Sequence, residues 1–341
     1  MKKNYIIPIF VPHLGCPNDC TFCNQKKISG QKKNITKQDV KNIIEYYLES
    51  YNSLDRKIEV AFFGGSFTGI KKEIQEELLS AAYEYIETGK ISSIRISTRP
   101  DYIDKDILNF LKKYNVETIE LGVQSTNDFI LNKCKRGHNF NDVKKASKLI
   151  RKNKFKLGHQ MMVGLPESNQ KDEIETAKNL IKLRPKMVRI YPVLVIKDTK
   201  LEDDFKNGEY IPNTLEQAVE TSAILLKMFE KKKIDVIRIG LQSTDEICNP
   251  KNEKSQVVAG PYHPAFRQLV ESRIYYDEIS NKIKKMNSKV RNIKILVNSK
   301  NINNFVGHKK ENVHRIKEIY NVNMCIEQDD NVKDYKIVEV S

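Results

Sequence analysis

From residue 5 to residue 239, short β-branched runs give way six or more times to longer amphipathic stretches, and that alternation constrains the fold most strongly. The strand candidates are 5–11, 57–63, 92–98, 118–123, 157–163 and 187–195, with a last one at 234–239. Helical patterns cover 37–51, 72–87, 104–114, 141–153, 170–182 and 214–231. In the first of these, Val40, Ile43, Ile44, Tyr47 and Leu48 share one face, and Thr36 is placed to cap the N-terminus. Strand-then-helix units in series require a parallel sheet with helices outside it. No GxGxxG motif is present, which argues against a doubly wound sheet. The expected class is therefore α/β, a complete or partial TIM-like (β/α) barrel followed by a small C-terminal α+β module.

In such a barrel, chemistry collects at the C-terminal ends of the strands. The unusual residues of this chain sit there: CPNDCTFCNQ after the first strand, GGSFTG after the second, STRPD after the third, GVQS after the fourth and VGLPE after the fifth. A packing role alone does not place polar residues and glycines at every strand end.

The cysteines narrow the chemistry. Three of six fall within eight positions, Cys16, Cys20 and Cys23. Three thiolates spaced CxxxCxxC can wrap one face of a cuboidal iron–sulfur cluster and leave one iron without a protein ligand, where four cysteines would close the site. A zinc site completed by His13, or simply three buried thiols, are the other readings of the same spacing. Phe22, between the last two cysteines, would shield a cluster. Nothing at the N-terminus reads as a signal peptide, and no apolar run approaches the roughly 20 residues of a membrane helix. A cytoplasmic, reducing location follows, in which clustered thiols are metal ligands or catalysts rather than disulfides. Of the isolated cysteines, Cys325 lies in an apolar strand and is expected in a core, while Cys134 and Cys248 are expected in loops, Cys134 close enough to Arg136 to face a substrate. His263, between two prolines, reads as a structural hydrogen-bonder. His159 must point away from Gln160, because neighbouring residues of a strand face opposite sides.

Placed after the first strand of a barrel, CPNDCTFCNQ resembles the signature of the radical S-adenosylmethionine (SAM) superfamily, a resemblance that extends over most of residues 5–245. It implies a barrel of the radical SAM type. It also implies a [4Fe-4S] cluster on Cys16, Cys20 and Cys23, with SAM chelating the open iron and cleaved to a 5′-deoxyadenosyl radical that abstracts hydrogen from a substrate. By the same resemblance Gly64, Gly65 and Ser66 would hold the SAM amino group, where glycine permits close approach of backbone carbonyls. Ser97, Thr98 and Gln124 would bind the ribose and the methionine carboxylate, and Arg136 would pair with that carboxylate. Gln160 resembles a later SAM contact, and Tyr191 would flank the adenine. The series CTFCNQ, FFGGSFTG, STRPDYI, ELGVQS and KRGH is most similar to the Elongator catalytic-subunit family, which acts on the wobble uridine of transfer RNA. A chain of 341 residues leaves no room for that family's acetyltransferase domain, so acetyl transfer is not expected. A flavodoxin- or ferredoxin-type electron donor is implied as a partner.

The remaining residues read as a barrel-closing segment with a basic linker (246–290) and a separate module at 291–341. Its order of strand, short helix, turn at Gly307-His308-Lys309-Lys310, amphipathic helix and two strands resembles a KH domain, whose GxxG loop clamps a nucleic-acid backbone. Lys310 stands in the second glycine's place. Lys309 and Lys310, with Lys284 and Lys285 before the module, would meet phosphates electrostatically. The net charge of +15 points the same way, although a chain this rich in Lys, Asn and Ile carries part of it as composition alone. Three functions compete at this point: a radical SAM enzyme modifying RNA, with transfer RNA the expected substrate; a radical SAM enzyme acting on a small molecule of cofactor or tetrapyrrole metabolism; and an RNA-binding protein with structural zinc.

Overall fold

A computed structural model describes residues 3–11, 20–24, 35–50, 56–244, 246–286 and 290–341; Cys16 and His13 lie outside the described residues. The chain divides into two compact units, Met1–Thr214 with Leu225–Tyr262, and Leu215–Ile224 with His263–Ser341. Among the described residues no helix is long and apolar enough to cross a membrane.

The first unit is built on a seven-stranded sheet. Its strands are β1 (Lys3–Val11), β2 (Arg56–Gly64), β3 (Ser93–Thr98), β4 (Val116–Gln124), β5 (Lys156–Val163), β6 (Met187–Pro192) and β8 (Asp235–Ile239), in that spatial order. Every neighbouring pair is parallel. Among the described residues β1 and β8 do not pair with each other, so the parallel sheet is a partial barrel. Its helices are α1 (Lys37–Glu49), α2 (Lys72–Glu87), α3 (Lys105–Lys113), α4 (Asp128–Lys133), α5 (Phe140–Lys152), α6 (Gln170–Lys182) and α7 (Lys200–Lys206); Ile130 of α4 and Leu201 of α7 pack against Cys20 and Phe22. Helix α8 (Leu215–Lys231) follows them.

Local chemistry sets the helix starts. Thr36, Asn139 and Asn169 each accept from the backbone of the residue three ahead, and Asp39, Asp142 and Asp172 each return a bond to the cap's own N–H. These reciprocal bonds satisfy two otherwise orphaned donors per helix. Helix α3 carries the sharpest stripe, burying Leu108, Phe110 and Leu111 against the sheet. Strand residues alternate accordingly: Ile94, Ile96 and Ile119 are fully buried, while Glu120 and Gln160 line the cavity inside the barrel and Arg95 bonds to Glu120.

Two features depart from the linear pattern. The run expected as one strand at 187–195 breaks at Pro192, which lacks the N–H to continue a ladder. The chain then turns so that β7 (Val195–Ile196) pairs antiparallel with β9 (Val257–Ala259) in a separate small sheet. Helices α4 and α7, of six and seven residues, are too short for a periodicity to betray them.

The second unit holds α9 (Phe266–Ile283), β10 (Asn292–Val297), α10 (Ile302–Val306), α11 (Glu311–Tyr320), β11 (Asn323–Gln328) and β12 (Tyr335–Val340). Strand β10 lies between β11, to which it is parallel, and β12, to which it is antiparallel. Helix α9 buries Tyr276, Ile279 and Ile283 on this sheet, against Ile293, Ile295 and Val297. Cys325 is exposed, contrary to its expected place in a core. It lies on an edge strand, where Met324 and Ile326 pack on the core and the residue between them faces outward.

Candidate functional site

The C-terminal ends of the parallel strands surround a cavity of about 300 Å³. Gly64 sets its rim. It adopts φ +108°, and a Cβ there would stand 2.5 Å from the carbonyl oxygen of Val11 at the end of β1. Gly65 donates its N–H to that same oxygen at 3.2 Å. The close approach of β1 to the β2 turn thus requires a residue without a side chain. Ser66, buried just beyond it, begins the short 3₁₀ turn Phe67–Gly69 and lines the cavity with both glycines.

Cys20, Phe22 and Cys23 form the adjoining wall. Among the described residues no three His, Cys, Asp or Glu side chains converge as a metal site; Cys16 is outside them. The ends of two short helices grip this segment through backbone hydrogen bonds: Thr21 N–H donates to the carbonyl of Cys134, the C-cap of α4, at 3.2 Å, and Leu201 N–H at the start of α7 donates to the Thr21 carbonyl at 2.8 Å. Arg136 adds a side-chain clamp. Its Nη1 donates to Cys20 Sγ at 3.2 Å and its Nη2 to the Gly122 carbonyl at 2.7 Å. The arginine is buried, and its Nε has no hydrogen-bond partner among the described residues. Cys134 does not face a substrate: it is fully buried against the Cys20–Phe22 segment, and burial pushes its thiol up to about 12. His138 of the same loop is pushed down to about 4 by burial and by the neighbouring Arg136 and Arg99, and so is neutral at physiological pH.

The polar residues expected at later strand ends share the cavity. Ser97 and Thr98 line it from β3, Gln124 from β4, Gln160 from β5 and Tyr191 from β6. Gln160 Nε2 donates to Gln124 Oε1 at 3.3 Å, and Gln124 takes φ +69° to turn into the site. The Thr98 hydroxyl is 2.6 Å from that of Thr68, so its hydrogen bond is directed to the 3₁₀ turn rather than the open space. His159 points away from Gln160, with Nε2 2.9 Å from the Ser147 hydroxyl of α5.

The pairing on the floor of the cavity was not part of the sequence expectations. Four charges from four strands interlock there. Arg95 donates through Nε to Glu59 at 2.8 Å and through Nη1 to Glu120 at 2.6 Å. Arg189 donates through Nε and Nη2 to the two oxygens of Glu120, at 2.5 and 3.1 Å. Its guanidinium carbon sits 4.8 Å over the Phe63 ring, and Nη1 reaches the Tyr191 hydroxyl at 3.3 Å. Burial alone would raise the Glu120 carboxyl, but Arg189 and Arg95 outweigh it and hold the group below the usual carboxylate range. The only linear hint was period two: charged residues at alternate positions of otherwise apolar strands, Glu59, Arg95, Glu120 and Arg189.

In the second unit, the turn from α10 to α11 is formed by Gly307 at φ +84°, with Lys309 at φ +50° and Lys310 at φ +63°. A Cβ on Gly307 would lie 3.1 Å from Asn312 N. Asn312 anchors the start of α11, donating to the Ser272 carbonyl and hydroxyl and to the Phe305 carbonyl at 2.9–3.0 Å. His308, Lys309 and Lys310 are not buried. Lys284 caps the end of α9 and Lys285 follows it. His263 accepts from Ala265 N–H through Nδ1 at 3.1 Å, a structural role.

Comparisons with known proteins agree with this geometry. Residues 10–180 match the radical SAM superfamily, and residues 185–276 match a radical SAM C-terminal domain. A tRNA uridine(34) acetyltransferase of Methanocaldococcus jannaschii is 32% identical over 193 residues, which cover 51% of this chain and 36% of that protein. Elongator complex protein 3 of Saccharomyces cerevisiae is 27% identical over 205 residues, 54% of this chain and 37% of its own length. The chain thus spans about a third of the length of these curated relatives. Among solved structures, the N-terminally truncated Elp3 of Methanocaldococcus infernus superposes with a TM-score of 0.62 at 24% identity, covering 83% of this chain and 64% of that one, a likeness of fold.

Proposed function

The chain belongs to the radical SAM superfamily, whose cofactors are a [4Fe-4S] cluster and SAM, and on that premise we propose that it is an RNA-modifying enzyme with a tRNA nucleoside as its target. When bound, the reduced cluster and SAM supply a 5′-deoxyadenosyl radical that abstracts hydrogen from the substrate. The observation that carries the reading is the meeting, in one cavity, of Cys20 and Cys23 with glycines and polar side chains from the ends of successive strands.

The residues present fit these groups. Cys20 and Cys23, with Cys16 completing the set, offer three sulfur ligands and leave one iron open. Phe22, with Ile130, Leu165 and Val193 packed about it, keeps water from the sulfur side. Gly64, Gly65 and Ser66 offer an uncluttered rim to the amino group of SAM; Ser97, Gln124 and Gln160 offer hydrogen bonds to its ribose and carboxylate; Tyr191 offers a flat face to its adenine. The Glu59–Arg95–Glu120–Arg189 set holds the floor rigid, so a substrate meets fixed dipoles rather than mobile side chains.

The RNA part rests on the relatives, named for tRNA uridine(34) and for Elongator, and on the basic turn of the second unit. His308, Lys309 and Lys310 would contact a phosphate backbone in the manner of a KH loop, with Lys284 and Lys285 adding charge. Acetyl transfer is not carried over, because the match spans only about a third of the acetyltransferases' length. A flavodoxin- or ferredoxin-type donor would supply the electron, in the cytoplasm.

The test is anaerobic reconstitution of the full chain, followed by release of 5′-deoxyadenosine from SAM with and without tRNA. Iron and sulfide at cluster stoichiometry, lost in Cys16→Ala, Cys20→Ala and Cys23→Ala, and faster release with tRNA are expected. Zinc without iron would overturn the cofactor reading. Release that tRNA leaves unchanged, with identical RNA nucleosides in cells with and without the gene, would overturn the substrate reading and favour a small molecule.

A further inference from the structure

Among the described residues, Arg136 stands out as a buried cation that touches a cysteine sulfur. Its guanidinium is held at two points, Cys20 Sγ at 3.2 Å and the Gly122 carbonyl at 2.7 Å, which aim it at the sulfur. The backbone around it is arranged to hold this pose. Lys135 takes φ +51° and Gly137 φ +70°, Arg136 N–H donates to the Leu131 carbonyl at 2.9 Å, and Cys134 holds Thr21 by the bond described above. Gly122 is part of the cradle: a Cβ there would stand 3.4 Å from Arg136 Nη2 and 3.3 Å from Gln124 Nε2.

We infer that Arg136 is a positioning residue that sets the reduction potential of the cluster through the Cys20 sulfur. The inference rests on the proposed cluster on Cys16, Cys20 and Cys23. A cluster gains negative charge on reduction. A guanidinium that donates to a ligand sulfur stabilises the more negative state, and does so strongly where burial excludes water. Arg136 therefore raises the potential and makes the cluster easier to reduce. The other role open to this side chain, pairing with the carboxylate of SAM, makes different predictions for the same variants.

The experiment is a redox titration, followed by electron paramagnetic resonance, of the anaerobically reconstituted full chain, wild type against Arg136→Gln and Arg136→Lys, without SAM. Equilibrium binding of SAM to the oxidised protein is measured in parallel. For Arg136→Gln the reduced-to-oxidised ratio at fixed applied potential is expected to fall about tenfold or more, a shift of about 59 mV for a one-electron couple. Arg136→Lys, which keeps the charge but loses the fork, should fall between. A potential unchanged in both variants overturns the inference. So does loss of SAM affinity with an unchanged potential, which assigns Arg136 to the carboxylate. So does failure of both variants to hold a cluster that wild type holds, which makes the arginine a structural clamp. A wild-type chain that takes up no iron and sulfide refutes instead the cluster reading on which the inference stands.

Discussion

Replacing Glu120 by Gln tests whether the charged floor of the cavity is a fixed platform. Glu120 is buried and accepts three charged hydrogen bonds: Nε and Nη2 of Arg189, and Nη1 of Arg95. Gln keeps the shape but offers one neutral acceptor oxygen, so at least one of Arg189's bonds is lost and the rest weaken. Arg95 retains Glu59, whereas Arg189 retains only the Tyr191 hydroxyl at 3.3 Å and the face of Phe63. Hydrogen bonds to charged groups contribute about 1.5–3 kcal/mol each, and breaking a buried ion pair from one side costs about 3–5 kcal/mol. The expected loss is therefore about 3–5 kcal/mol. Glu175→Gln, which disrupts an exposed pair with Lys178, should cost about 0.5 kcal/mol or less. Urea unfolding followed by circular dichroism measures both, with hydrogen exchange on β3 to β6 separating the first unit from the second. The double variant Glu120→Gln/Arg189→Met removes the orphaned charge and should recover part of the loss. A Glu120→Gln chain within about 1 kcal/mol of wild type would show that water reaches the floor and that the network is not a low-dielectric one. The pH dependence has a definite sign. Because Arg189 and Arg95 hold the folded carboxyl below its unfolded value, this stabilisation is complete above the unfolded pKa and fades as pH falls through the folded one.

Three further predictions follow from single residues. Gly64→Ala should cost about 1–3 kcal/mol from its φ of +108° alone, and more from the 2.5 Å approach to the Val11 carbonyl; Gly89→Ala, at φ +71° with open space around it, isolates the conformational part in a thermal melt. Burial lifts the Glu173 carboxyl to about 7, although the Gly164 N–H and Ser168 hydroxyl pull it back. The folded chain thus holds a proton that the unfolded one releases near pH 4.3, so its contribution is full below that pH and is lost as pH rises to about 7. Glu173→Gln should therefore gain melting temperature relative to wild type between pH 5 and pH 8, and a constant difference across that range would refute the assignment. Lys309→Gln/Lys310→Gln should lower the slope of log affinity against log salt for single-stranded RNA by about 1.4, at about 0.7 per phosphate contact, whereas an unaltered slope would remove the turn from the RNA-binding surface.

Much of the site was legible because it is local. Cys20 and Cys23, the glycine pair and the Gln124 turn each announce themselves within a few residues of a strand end, and the chain brings them to one cavity because parallel strands all end on the same side. Arg136 was legible as a basic residue near that end, but its partners were not: Cys20 lies 116 positions away. Cys325 misled, since an apolar strand in sequence does not say which strand is the edge. The break at Pro192 could be read as a proline, yet not as the start of a second sheet, because β9 lies more than sixty residues on.

The sequence by itself determined the order of the main strands and the longer helices, the cap that starts α1, and the kind of chemistry, since period, capping and ligand spacing act between neighbours. Only the tertiary structure decided that the barrel stays open, that Arg95 and Arg189 share Glu120, and that Arg136 rests on a cysteine sulfur. Those outcomes depend on which strands lie side by side. A charge placed on one strand finds its partner on another only after burial has made the pairing obligatory.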